Sequence, residues 1–162
     1  MDVAVIGDTH IPSRAHAIPA AFRERIEAAD HVVHTGDFDS EGAFSNIRAM
    51  ASRFTGVAGN MDRRLGLPDV TTVELGGVTF VVTHGTGSHR GYEDRVAGIV
   101  RDEAGPDAVG LSGHTHEVLD EVHGGVRLLN PGSATGAEPA DRTTMYTLTV
   151  ADGEIDVTLH EL

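Results

Sequence analysis

Val3 to Gly7 is a short apolar run that ends on Asp8 and His10, and the same arrangement recurs four times along the chain. His31 to Thr35 ends on Gly36 and Asp37, and Arg53 to Ala58 leads to Asn60 and Asp62. Val78 to Thr83 ends on His84, and Asp107 to Ser112 leads to His114 and His116. Apolar runs of this length, bounded by turn residues, are the mark of buried strands. Five such strands with polar residues at their ends predict an α/β fold whose carboxyl-terminal strand edge carries the chemistry. Taken singly, each residue has a structural explanation: Asp8 as a turn cap, Gly36-Asp37 and Gly59-Asn60 as turn pairs, His84 as a satisfied core histidine. Turn chemistry accounts for Asp and Asn after a strand, but it does not require His at three of the five ends.

The segments between these runs complete the pattern. Pro19 to Ala29 has helical spacing, with Ile18, Phe22 and Ile26 four apart. Ser40 to Ala51 and Gly91 to Ala104 also read as helices, the second with Val96, Ile99 and Val100 on one face. Val70 to Leu75 and Val78 to Thr83 flank Gly76-Gly77, a hairpin signal. Glu117 to His123, Val126 to Leu129, Thr143 to Val150 and Glu154 to His160 read as strands, with turns at Gly124-Gly125 and Asp152-Gly153. The first half alternates strand and helix; the second is mostly strand. Two sheets packed face to face with helices outside satisfy this order, in one domain over residues 1–162.

Composition removes several classes. There is no cysteine, so disulfides and thiolate ligands are excluded. No apolar stretch approaches the roughly 20 residues that span a bilayer. The start, MDVAVIGDTH, lacks the basic leader of a secretion signal, so a cytoplasmic location is expected. Acids outnumber bases 25 to 12, the net charge is −13, and every base is arginine. That surface repels anionic membrane and makes nucleic acid an unfavoured partner. Two origins fit it: adaptation to a salt-rich cytoplasm (a halophile), or a GC-rich genome that favours Arg over Lys. Association into a homo-oligomer stays open.

Asp8, His10, Asp37, Asn60, His84, His114 and His116 exceed one coordination shell once water is included, so the set suits two divalent metal ions. Asp37 is the natural bridging carboxylate. Two ions ~3.5–4 Å apart can share a hydroxide and clamp a phosphoryl group. Nitrogen and oxygen ligands without sulfur favour Mn, with Ni, Fe, Zn or Co as alternatives, over Ca. In an extended segment residues i and i+2 point the same way. The HTH pair is therefore expected to present His114 and His116 side by side, one for each metal, and Asp8 with His10 to serve a single one.

The ordered set GDTH, GD, GNMD, THG and GHTH resembles the calcineurin-like metallophosphoesterases. The compact length, DTHIPSRAHAIP and the NPGS at residues 130–133 look like the small YfcE-type phosphodiesterases. The resemblance implies a four-layer αββα sandwich, two mixed sheets flanked by helices, with a dinuclear site at the sheet edge. By family pattern Asp8, His10, Asp37 and His116 would hold one metal, and Asp37, Asn60, His84 and His114 the other, with Asn60 also touching phosphate. The implied activity is hydrolysis of a small phosphoester by a metal-bridging hydroxide, with Asp37 and Asn60 in catalytic positions.

Met61 stands where many relatives carry a histidine that serves the leaving group. A thioether cannot deliver a proton at neutral pH. An acid catalyst typically contributes ~10²–10⁴-fold, so phosphodiesters with good leaving groups are expected. Asp62 and His34 are expected to support the ligands from behind. Arg14 and His89 are candidate substrate contacts, and Asn130 to Ser133 is expected to form a turn that braces the metal loops. A rival implied by the same resemblance is a protein-binding scaffold like the retromer subunit of this fold. Met61 favours that rival, and the filled ligand positions oppose it.

Overall fold

A computed structural model describes residues 1–162. In chain order the elements are β1 (Asp2–Ile6), α1 (Ala20–Ala28), β2 (His31–His34), α2 (Glu41–Met50), β3 (Phe54–Gly56), β4 (Val70–Leu75) and β5 (Val78–Thr83). There follow α3 (Tyr92–Ala104), β6 (Val109–Leu111), β7 (Val118–His123), β8 (Val126–Pro131), β9 (Thr144–Ala151) and β10 (Glu154–Glu161). They form two five-stranded sheets, ordered β10-β9-β1-β2-β3 and β4-β5-β6-β8-β7. Both are mixed. β1, β2 and β3 are parallel, while β9 runs against β1; β5, β6 and β8 are parallel, while β4 and β7 run antiparallel at the two edges.

The two-residue period of a strand sorts side chains between layers. Val3 and Val5 of β1 face the space between the sheets with Val33, Phe80, Val82, Leu129 and Leu148. Ala4 and Ile6 face the other way, onto Phe22 and Ile26 of α1 and Ile47 of α2. On the second sheet Val81 and Leu128 face outward onto Tyr92, Val96, Ala97 and Val100 of α3. Each fully buried Val, Leu or Ile is worth roughly 1.5–3 kcal/mol over its exposed state, so these three clusters fix the layer order helix, sheet, sheet, helix. This is the expected four-layer αββα sandwich.

Three hairpins turn on pairs with positive φ: Gly76-Gly77, Gly124-Gly125 and Asp152-Gly153. A type I′ hairpin turn requires that sign at both central residues. The strands β3 and β6 are shorter than expected, and β8 is longer. Asn130 and Pro131 belong to β8, where Asn130 pairs with Leu119 and Pro131 with Val118. The expected turn at residues 130–133 is displaced: the chain turns after β8, where Gly136 N–H donates to Ser133 O at 3.3 Å. No helix is long and apolar enough to cross a membrane.

Candidate metal centre

Beyond their carboxyl ends β1 and β2 continue as two hydrogen-bonded loops. Asp8 N–H donates to Gly36 O at 3.0 Å and His10 N–H to Asp37 O at 3.0 Å. These loops carry Asp8, His10 and Asp37, all buried. Six of the seven non-glycine residues with positive φ lie in this region: Asp8, His10, Asp37, Asp39, His114 and His116. Left-handed backbone at non-glycine residues is sparsely populated and persists where the surroundings over-determine it. Here the loops are held from several sides. Ser133 Oγ donates to Asp8 O at 2.7 Å, and Thr135 Oγ1 to Thr9 O at 2.7 Å. Buried Asn130 donates to Gly113 O at 3.0 Å and to Thr115 Oγ1 at 3.1 Å, so it braces the GHTH loop as expected, though from a strand.

The imidazole tautomers point to a cation. His116 Nδ1 faces Ala137 O at 2.8 Å, and His84 Nδ1 faces Thr35 O at 2.8 Å. A carbonyl only accepts, so both Nδ1 atoms carry protons. His10 Nδ1 likewise donates to Asp39 Oδ1 at 2.9 Å. With Nδ1 committed outward, each ring aims its Nε2 inward. His10 Nε2 and His116 Nε2 face each other at 3.2 Å. His84 Nε2 faces Asp37 Oδ2 at 3.2 Å and Asn60 Oδ1 at 3.1 Å. Acceptor against acceptor is repulsive unless a positive charge lies between.

Asp8 reinforces this. Its Oδ2 accepts the His114 N–H at 3.0 Å, but Oδ1 is buried with no partner. That orphan lies 3.5 Å from His116 Nε2 and 3.9 Å from both His10 Nε2 and His84 Nε2. Burial, with the Asp37 charge adding, pushes the Asp8 carboxyl up to about 7. Burial pulls His116 down to about 4. Burial also opposes charge on Asp37 and on His84, but their mutual hydrogen bond wins, holding Asp37 down to about 2 and lifting His84 to about 8. With no cation bound, a proton between His84 Nε2 and Asp37 Oδ2 supplies the positive charge that a metal would otherwise bring to the pair. The donor set, the orphaned oxygen and the opposed lone pairs fit divalent cations. Three trios have ligand atoms within 4.8 Å of one another; Asp37–Asp39–Asp62 is all carboxylate, and the two that include histidine are Asp8–His10–His116 and Asp8–Asp37–His84. Asp37 Oδ2 lies between the halves, 3.5 Å from His10 Nε2.

His114 stands apart from both trios. Its Nε2 donates to Gly87 O at 2.7 Å, which leaves Nδ1 as its ligating atom. Its ring meets His84 edge-on at a centroid distance of 5.1 Å. The expectation that an extended HTH segment aligns its two imidazoles is not met. His114 and His116 have φ of 75° and 60°, so the segment bends and the rings diverge, His114 toward His84 and His116 toward His10. The two imidazoles still turn toward different halves of the cluster, and the cause is the bend.

The other sequence candidates resolve individually. His34 is buried; its Nδ1 accepts from Gly36 N–H at 3.0 Å, and its Nε2 donates to Thr9 Oγ1 at 3.0 Å. Burial drives its pKa down to about 3, so it stays neutral and supports the loop. Asp62 binds no imidazole. Its carboxylate accepts the backbone N–H groups of Asp37, Phe38, Asp39 and Gly59 at 2.6–3.2 Å. Arg14 donates to Glu138 O at 2.8 Å, and its charge acts on His116. His89 is exposed, its ring 5.5 Å from that of His114. Asn60 and Met61 are exposed at the rim, and Met61 N–H donates to Asp37 Oδ1 at 2.9 Å.

Asp39 went unrecognised in the sequence. It orients His10 and also accepts from Ser13 Oγ. Its place two residues after Asp37, in GDFD, was the available signal. Tyr92 is a second omission: its hydroxyl lies 2.6 Å from Gly113 O and anchors the GHTH loop to α3.

Gly59 packs so close that an added Cβ would sit 2.1 Å from Asp37 Oδ1 and 2.4 Å from Asp37 N. Gly59→Ala is therefore expected to displace Asp37 and weaken metal affinity by roughly 10–100-fold, the range for perturbed ligand support. Metal titration with unchanged far-UV circular dichroism checks this; unaltered affinity would show that the loop yields freely.

Residues 1–153 match the model of the calcineurin-like phosphoesterase superfamily domain. A "Probable metallophosphoesterase" of Methanothermobacter thermautotrophicus is 34% identical over 149 residues, covering 90% of this chain and 84% of that protein. Among solved structures, a single-mutant Vps29 from Entamoeba histolytica superposes with a TM-score of 0.79 at 26% identity, covering 100% of this chain and 99% of the other. Wild-type Vps29 from the same organism, complexed with Zn²⁺, gives a TM-score of 0.71 at 27% identity, covering 99% of each chain. With the αββα sandwich and the histidine–carboxylate cluster at its strand ends, the chain belongs to the calcineurin-like phosphoesterase superfamily.

Proposed function

We propose that this protein is a dinuclear metal-dependent phosphoesterase of the small YfcE type, acting on phosphodiesters with good leaving groups. The observation that carries this reading is the convergence of three Nε2 atoms and the orphaned Asp8 Oδ1 on one buried point. Asp8, His10, Asp37 and His116 would hold one ion; Asp37, Asn60, His84 and His114, through Nδ1, would hold the other. Mn is the first choice among borderline cations for such a set. Zn²⁺ in the Entamoeba histolytica Vps29 structure supports a divalent site on this fold. Bound ions of this kind lower the pKa of coordinated water and neutralise phosphoryl charge.

The chain's own residues do the rest. Asp39, Ala137 O and Thr35 O fix the imidazole tautomers, so the ligating nitrogens need no rearrangement. Asn60, exposed at the rim, offers its amide N–H to a phosphoryl oxygen, and such donors stabilise developing charge. Arg14, held by Glu138 O, keeps a positive charge beside His116. Met61 supplies no proton, so the leaving group departs unassisted.

Hydrolysis of bis(p-nitrophenyl) phosphate is expected only with added Mn²⁺ or a similar cation, lost on chelation and restored on readdition. The exposed Met61 in the leaving-group position favours a second reading, a protein-binding scaffold of the same fold. Absence of turnover with every metal tried would support the scaffold and sink the enzyme.

A further inference from the structure

The loop after β3 carries two adjacent arginines, Arg63 and Arg64. Its backbone is held by the Asp62 carboxylate, by Asp62 N–H on Gly59 O at 3.1 Å and by Leu65 N–H on Asp62 O at 3.0 Å. Leu65 packs against the core beneath the first sheet. The place of Arg63 relative to Asn60 is therefore built in. Two open clefts meet at this loop. One, about 500 Å³, runs from Asn60 and His84 past Thr86 to Asp69 and Ile99. The other, about 740 Å³, runs from Asn60 and Met61 to Asp39 and Glu41. Arg63 lines both, and Arg64 lines the second.

The position of these two arginines, not their lack of a partner alone, sets them apart. Arg14, Arg95 and Arg101 donate to backbone carbonyls, and Arg127 and Arg142 pair with Asp120 and Glu161. Arg63 and Arg64 make neither a hydrogen bond nor an ion pair, although Asp69, Asp39 and Glu41 line the same clefts. In a chain of net charge −13, Arg63 and Arg64 are the only arginines that line these two clefts, set among the carboxylates of Asp39, Glu41, Asp62 and Asp69. Their guanidinium groups are the cationic side chains within these clefts that a second anionic group on a bound molecule could meet. A guanidinium fork matches phosphate bidentately. The first cleft also offers Ala58, Leu67 and Val70 as apolar lining, and its volume falls in the roughly 300–1,000 Å³ range of small-molecule sites.

We propose that Arg63, backed by Arg64, recognises a second phosphate on the substrate, so that the preferred substrates are bisphosphorylated small molecules whose scissile phosphate lies at Asn60 and His84. This rests on the phosphoesterase reading above and deepens it to a substrate class.

The test uses a matched pair, the 5′-(p-nitrophenyl phosphate) of thymidine with and without a 3′-phosphate. The metal-loaded protein is expected to favour the bisphosphate by about tenfold or more in kcat/KM, carried by KM. A tenfold ratio corresponds to ~1.4 kcal/mol. Arg63→Gln collapses that ratio toward one, whereas Arg101→Gln, which lines neither cleft, retains it. Calorimetric binding of thymidine 3′,5′-bisphosphate against the 5′-monophosphate reads the same preference without turnover. Preferential binding of the bisphosphate with no hydrolysis of either ester would sink the phosphoesterase reading and leave Arg63 as an anion site. Hydrolysis of both esters with no preference in KM or Kd would overturn the Arg63 assignment alone. So would an Arg63→Gln protein that loses kcat on both esters yet keeps the ratio, since that marks a structural role.

Discussion

Asp37→Ala is expected to lose bound metal and phosphoesterase turnover together. Its Oδ2 lies between the His10 and His84 rings, and its Oδ1 receives the Met61 N–H. Alanine removes one of the two carboxylates that face both halves of the cluster, leaving the two rings with only Asp8 between them. The expected fall in kcat/KM is on the order of 10³-fold, at least that seen when one transition-state contact is removed. Elemental analysis of the purified variant should show metal well below the wild-type content. Asp37→Asn separates charge from shape, since its amide oxygen still accepts from Met61; the same loss there assigns the effect to charge. Wild-type activity in either variant refutes the bridging role of Asp37.

Asp62→Ala should be the most destabilising single change near the site. Four buried or half-buried backbone N–H groups, those of Asp37, Phe38, Asp39 and Gly59, lose their acceptor at once. Each unsatisfied buried donor costs roughly 1–3 kcal/mol. Water recovers part of this, so about 3–5 kcal/mol is expected, or roughly 10 °C in Tm for a domain of this size. Asp62→Asn should restore little, because its NH₂ group turns a donor toward donors. Thermal unfolding of Asp62→Ala beside Asp69→Ala, an exposed carboxylate, is the comparison. Equal Tm values for the two would show that the loop holds itself without Asp62.

The layer order was legible because strand period and apolar content coincide. Val3 and Val5 against Ala4 and Ile6 already separate the two faces of β1, and the three glycine-bearing hairpins were marked by their turn residues. The convergence of Asp8, His10, Asp37, Asn60, His84 and His116 was legible because each follows an apolar run. Backbone conformation beyond the strands was not. His114 and His116 were expected to align as in a strand, but residues with φ near +70° obey no two-residue period. Asp62 looked like a neighbour of the ligands, and only coordinates show it gathering four amides from two loops. Asn130 read as a turn residue beside Pro131, yet β7 supplies partners that keep both in the sheet.

The cluster draws its side chains from both sheets: Asp8, His10 and Asp37 follow β1 and β2, while His84 and His116 follow β5 and β6. An ion seated among them is thus a rivet through the sandwich, closing a circuit of chain between positions 8 and 116 much as a covalent staple would. For a protein without cysteine, such an ion would add to the cohesion that the apolar layer between the sheets already supplies, so starving it of metal should weaken the seam as well as silence the rim.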